Sequence, residues 1–382
     1  MHYKEYVRTT GISVFFIFAT FLLNPVLAPY VKSLGFDDFQ IGLMFSVLPL
    51  ITIIASPILG RLADNIGKLR VIIFGIILEI TAIIFYLSAS NWFFVVIARI
   101  LDAVAMIAVT VIVIARIEDS LPDKNRGKYG GLSLSFGHIG KIVAPVLGGF
   151  LADTLFLKAP FLLAAIMLLI LGFLLSARNT KVKKHLEKND FNVLESLKLF
   201  LSEKKLRGMA ILGFVMHASI PATSVFLPIF IIEKLGLSYT YVGIAIFFFG
   251  VTHLFQFYFG HLSDIFGRLK SNIFGTVFFG VFLFLLGYCN NYFLVLIVLF
   301  FMGVGGAIWN VSAWSLMSDV GEKLKKESQV VCSYVSFAKI GHFISFLISG
   351  LIVQVYGFKY LFFSSGLLIV VGSFFAIRFL KD

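Results

Sequence analysis

The sequence predicts an all-α polytopic membrane protein: twelve transmembrane helices in two pseudo-symmetric six-helix bundles. Three observations carry this expectation. Of 382 residues, 59% are hydrophobic and only 14% charged, and apolar runs of about 18 residues or more, each long enough to cross a hydrocarbon core, recur along the chain. Gly60-Arg61-Leu62-Ala63-Asp64-Asn65-Ile66-Gly67-Lys68-Leu69-Arg70 is answered, about 200 residues later, by Gly260-His261-Leu262-Ser263-Asp264-Ile265-Phe266-Gly267-Arg268-Leu269-Lys270. A repeat on that scale, with each copy ending a long apolar run, implies two homologous halves. Finally, 25 of the 32 Lys and Arg fall on one side of a twelve-span topology, which marks that side as cytoplasmic.

The spans are placed at 10–31, 40–60, 71–89, 92–115, 130–152, 159–177, 208–232, 240–259, 272–289, 292–315, 329–353 and 359–378. Lys4 and Arg8 ahead of an apolar stretch superficially resemble a signal peptide. The run is too long and has no small-residue cleavage pattern after it, so it is read as the first span. Both termini are then cytoplasmic, in the plasma membrane. Residues 1–178 form the N-terminal bundle, 179–207 a cytoplasmic linker and 208–382 the C-terminal bundle. Within the linker, Phe191, Leu194, Leu197 and Leu201 recur at helical spacing among lysines, the pattern of an amphipathic helix on the membrane face. Each half has an even number of spans, so the two point the same way about an axis along the membrane normal.

The formal charge of +12 is a topology signal rather than a nucleic-acid footprint. Cys289 and Cys332 both fall in apolar spans and suggest neither a disulfide framework nor a metal site. No Walker loop exists: Gly140-Lys141 is followed by Ile142, and Ser135 stands where the first glycine would be. No nucleophile triad assembles, so no enzyme and no cofactor are expected. The expected partners are a small-molecule substrate, protons and the lipid bilayer, with a monomer as the working unit.

The repeated phrase, Gly60, Asp64, Gly67 and Arg70 with Gly260, Asp264, Gly267 and Arg268, resembles the signature loop of the major facilitator superfamily and its echo in the second half. Physically, Gly60 suits a close approach of helices, Gly67 a tight turn, and Asp64 a neighbouring helix N-terminus. The resemblance implies that Asp64 and Asp264 latch the cytoplasmic gate. In span five, Gly131, Gly140, Ala144, Pro145, Gly148 and Gly149 are similar to the antiporter motif of drug–proton exchangers, with Ala144 in place of a glycine. Small residues there make a groove for close packing, and Pro145 permits a kink. Asn24-Pro25-Val26-Leu27-Ala28-Pro29-Tyr30 resembles a first-span stretch of twelve-span drug exporters. Arg99 matches the span-four arginine of that group, while Asp102 and Ala103 depart from its Gln-Gly.

A charge inside the bilayer is expensive unless paired or wet, so each one is a functional candidate. Arg99 and Asp102, three apart, share a face of span four. Either they form a self-neutralising pair, or Asp102 accepts a proton under the control of Arg99. Glu79 in span three is a third candidate for proton coupling. In spans five and eleven, His138-Ile139-Gly140-Lys141 aligns with Lys339-Ile340-Gly341-His342, the His and Lys exchanged between the ends. Such a cluster suits an anionic group or proton coupling through histidine. Alternatively, each lysine pairs with Asp102 or Glu79. His217, Asn24, Asn310 and Trp309 complete the candidate cavity lining.

The function expected is alternating-access, proton-coupled efflux of amphipathic organic compounds, including drugs. Two alternatives stand beside it: a proton-coupled organic-anion carrier using the Lys/His cluster, and a non-transporting receptor of the same fold.

Overall fold

A computed structural model describes residues 3–120, 126–176, 203–323 and 327–380. The predicted amphipathic linker helix lies outside the described residues. Eleven described segments are long and apolar enough to cross a membrane. Spans two, three, five and six are Asp38–Ile66, Lys68–Leu87, Arg126–Thr154 and Ala159–Ser176. Spans nine to twelve are Arg268–Leu286, Tyr292–Lys323, Glu327–Tyr356 and Phe358–Leu380. Several extend past the predicted ends, because polar residues continue each helix beyond its apolar window.

Four spans are interrupted. Span one is Tyr3–Phe21 followed by Leu27–Ser33. Pro25 has no N–H for the carbonyl of Phe21 and disfavours a helical Asn24. The chain bridges the gap with three-residue turns, Asn24 N–H to Phe21 O at 3.3 Å and Val26 N–H to Leu23 O at 3.0 Å. Span four runs Trp92–Met106 and Ile112–Ser120 around a π turn at Ile107–Val111. Span seven runs Lys204–His217 and Leu227–Glu233 around a π turn at Ala222–Phe226. Span eight is Tyr239–Val251, a 3-10 turn at Thr252–Phe255 and Gln256–Phe266. Such irregular turns frequently occur at functional sites.

The two halves solve the same packing problems with the same residues. Asn91 caps span four by accepting from Phe93 and Phe94 N–H, at 3.1 and 3.4 Å, and Asn291 accepts from Phe293 N–H at 2.7 Å in span ten. Gly75 lets span three close on span four: a Cβ there would lie 2.7 Å from the Ala108 methyl. Gly275 does the same between nine and ten, 2.7 Å from the Trp309 backbone nitrogen.

Each half contributes a compact unit, with one exchange. Leu237–Ile246, the start of span eight, groups with the first-half spans, and Asp37–Ser46, the start of span two, with the second-half spans. In the first unit, Tyr30, Tyr86 and Phe161 bring spans one, three and six together, with the Tyr30 hydroxyl donating to the Tyr86 carbonyl at 2.8 Å. In the second, Leu206, Met209 and Leu212 pack with Ala313, Met317, Val330, Tyr334, Ala376 and Leu380, joining spans seven, ten, eleven and twelve.

Candidate functional site

Spans three and four carry a buried ionic cluster. Arg99 Nη1 donates to Asp102 Oδ2 at 2.8 Å, as their spacing on one helical face predicts. The Tyr86 hydroxyl sits between them, accepting from Arg99 Nη1 and donating to Asp102 Oδ2, both at 3.4 Å. Glu79, only 3% exposed, lies one span away, within range of the charges of both Asp102 and Arg99. Its Oε2 has no hydrogen-bond partner among the described residues. Two carboxyls thus lie within electrostatic range of one guanidinium, which bonds only Asp102 of the two among the described residues. By charge counting, the cluster is neutral only when one of them holds a proton.

The second repeat shows what the fold itself needs at these positions. Phe279, Leu286, Leu299 and Met302 stand where the first has Glu79, Tyr86, Arg99 and Asp102. All four are buried. The same helices therefore pack well on an apolar core, and a buried ion pair seldom adds stability over such a core.

The other predicted residues occupy separate settings. In the first unit, Lys141 is half-buried with its ammonium 5.7 Å from the Phe21 ring centroid, beside the break in span one where Asn24 lies, half-buried. Pro145 leaves the Lys141 carbonyl without its helical N–H donor. His138 is half-buried one turn earlier. In the second unit, His342 is buried and stacks on Phe346 at 4.9 Å. His217 approaches Trp309 edge-on at 5.6 Å, with its Nδ1 3.0 Å from the Gly213 carbonyl. Trp309 Nε1 is buried without a partner among the described residues, and Asn310 beside it is half-buried. Neither Lys141 nor Lys339 forms an ion pair among the described residues. Within the first unit, Lys141 pairs with neither Asp102 nor Glu79 among the described residues: Asp102 is bound by Arg99, and Glu79 Oε2 has no hydrogen-bond partner.

The repeated loops form one device twice. Gly67 and Gly267 have φ of 97° and 94°, a conformation that favours glycine, and each starts the next helix. Arg268 bonds Asp264 through Nε at 3.0 Å, reaches Asp319 with Nη1, and donates to the Ser315 carbonyl at 3.3 Å. Its counterpart Lys68 donates to the Ala115 carbonyl at 3.1 Å. Arg70 is exposed and reaches the Ile66 carbonyl at 3.4 Å. One expectation is corrected: a Cβ on Gly60 would meet nothing within 4 Å among the described residues, so no close approach among them explains it, whereas one on Gly260 would lie 3.1 Å from Val311. Asp64 is exposed and makes no hydrogen bond or ion pair among the described residues.

The glycines of span five do pack closely. A Cβ on Gly148 would lie 2.0 Å from the Leu22 carbonyl oxygen, and one on Gly149 2.2 Å from that of Tyr239. Gly140 lies against Phe18 at an ordinary 3.4 Å, and Ala144 is fully buried. Gly131 is helical. Opposite Pro145, a Cβ on Gly243 of span eight would lie 2.4 Å from the proline carbonyl.

Four residues with evident roles were not picked out from sequence. Tyr86 is one tyrosine among 13. Asn272 is buried and donates to Ser312 Oγ and the Trp309 carbonyl, both at 3.2 Å. Asp153 and Gln354 end apolar runs and read as ordinary boundary residues. The repeat was the available signal for the last two, since they align with each other.

The Major Facilitator Superfamily profile matches residues 9–252 and 209–382. The chain is 26% identical over 348 residues to "Quinolone resistance protein NorA" of Staphylococcus aureus (strain COL), covering 90% of this chain and 89% of that one. It is 25% identical over 360 residues to "Uncharacterized MFS-type transporter MJ1560" of Methanocaldococcus jannaschii, covering 92% of each. Among solved structures, the nucleoside transporter NupG superposes with TM-score 0.82 at 15% identity over 100% of both chains. A D-xylose-proton symporter gives 0.77 at 15% identity, covering 98% of this chain and 96% of that one. These two likenesses bear on the fold alone. The chain belongs to the Major Facilitator Superfamily, as a multi-pass membrane protein of the transporter kind.

Proposed function

We propose that this chain is a proton-coupled secondary transporter that exports amphipathic organic compounds across the plasma membrane by alternating access, with both termini in the cytoplasm. The observation that carries the reading is the Glu79–Tyr86–Arg99–Asp102 cluster, present in one repeat and replaced by apolar residues in the other. An intramembrane group of two carboxyls and one guanidinium is neutral with one proton bound and carries a single negative charge without it, which suits it to bind and release one proton. The span-five motif and the name of the Staphylococcus relative, a quinolone resistance protein, support export and an amphipathic organic substrate. Gate residues Asp64 and Asp264 act at the cytoplasmic ends in this scheme.

A second reading has its own observation. Lys141 and Lys339, each without an ion-pair partner among the described residues, suit a substrate that carries negative charge, with His138, His342 and His217 near them in sequence or space. Proteoliposomes with an internal pH dye separate the two readings. Tetraphenylphosphonium is expected to move protons in the wild type and at least tenfold less in Asp102→Asn. A response confined to an aromatic carboxylate such as benzoate, lost in Lys141→Ala, would overturn export of cations and establish the anion carrier. Binding of either probe without flux would instead identify a receptor on the same fold.

A further inference from the structure

The outer end of span five holds the beginning of span eight through one side chain. Asp153 accepts the backbone N–H of Tyr239 at 3.0 Å and of Thr240 at 2.7 Å, and both the Ser238 and Thr240 hydroxyls donate to it. A carboxylate on a helix N-terminus satisfies donors that the helix cannot, and meets the positive end of its dipole. Ser238 is well suited to cap span eight itself, yet its hydroxyl points to Asp153, so the cap comes from another span.

The repeat supplies the comparison. Gln354 aligns with Asp153, and its Oε1 accepts the N–H of Phe39, the counterpart of Thr240, at 3.2 Å. There the helix already has a cap of its own. Asp37 Oδ1 accepts from Gln40 N–H at 2.7 Å, and Gln40 Oε1 accepts from Asp37 N–H at 3.1 Å, a reciprocal capping box. Span two starts without help and Gln354 adds one bond. Span eight starts on Asp153. Below each cap, glycines bring backbones together, Gly149 and Gly243 in one case and Gly350 and Gly42 in the other.

We propose that Asp153 is the outer gating residue of this transporter: its carboxylate clamps the first turn of span eight while the outer side is shut, and releases it whenever that side opens. The inference rests on alternating access, with the outer side assigned from the Lys and Arg distribution. It places the stronger clamp between spans five and eight, and the weaker one, at Gln354, between eleven and two.

The labelling itself needs no transported substrate. A single cysteine is introduced by Val242→Cys, at a fully buried position of the clamped turn, with Cys289 and Cys332 replaced by serine. Membrane-impermeant maleimide is added from outside. Asp153→Ala is expected to speed labelling about tenfold, Asp153→Asn about threefold because the amide oxygen still accepts N–H groups, and Gln354→Ala less than twofold. A control cysteine at Ala210, buried in span seven, is expected to label no faster in any variant. Unchanged labelling at Val242 in Asp153→Ala overturns the proposal. So does equal acceleration at both cysteines, which would mean general loosening. Flux is measured in parallel: normal gate labelling responses without flux would sink the transport reading, while intact flux with unchanged labelling would sink only the clamp.

Discussion

Replacing Arg99 by leucine is expected to sharply lower the yield of folded protein, and adding Asp102→Met to the same chain is expected to restore it. The single change leaves a buried carboxylate facing Glu79 with no guanidinium. Removing one partner of a buried pair costs about 3–5 kcal/mol, whereas replacing both with apolar groups of similar volume is often neutral or better. The double variant reproduces what the second repeat already has, Leu299 and Met302. Monodisperse yield and thermal melting in detergent read the effect on folding, and flux reads the effect on function. Folding is expected to recover in the double variant while proton-coupled transport stays absent. A double variant that folds as poorly as Arg99→Leu would mean that the cluster is architectural.

Gly148→Ala is expected to be the most damaging single-methyl change in span five. The added carbon would sit 2.0 Å from the Leu22 carbonyl oxygen. Both contacting groups are backbone, so helix and break must move apart together. Overpacking costs typically about 1–3 kcal/mol, and a rigid contact of this kind belongs at the upper end. Gly140→Ala, two turns earlier on the same stripe, meets its nearest atom at 3.4 Å and is expected to leave the melting temperature nearly unchanged. Equal melting temperatures for the two variants would contradict the packing described here.

Much of this was legible because membrane spans announce themselves by length and apolarity, and because a repeat states its own alignment. The turn glycines Gly67 and Gly267 and the Arg99–Asp102 pair follow from local rules, spacing along one helix and backbone conformation. Glu79 was seen as an intramembrane charge, but its place beside Asp102 depends on how span three is rotated against span four, which no periodicity within span three encodes. Gly60 was misread for a related reason: a glycine before a turn looks the same whether or not another helix lies against it. Asp153 was invisible because acidic residues at span ends are usually solvated, and its partners lie 85 to 87 positions away.

Proton coupling here turns on two carboxyls sharing one proton, and substrate-induced proton release measures that directly. Purified protein in weakly buffered detergent solution is mixed with saturating tetraphenylphosphonium, and the released protons are counted with a pH dye. The wild type is expected to release about one proton per molecule, and Glu79→Gln and Asp102→Asn each far less, with binding retained. Binding with no proton release from the wild type, or full release from both variants, would contradict the proposed role of the cluster.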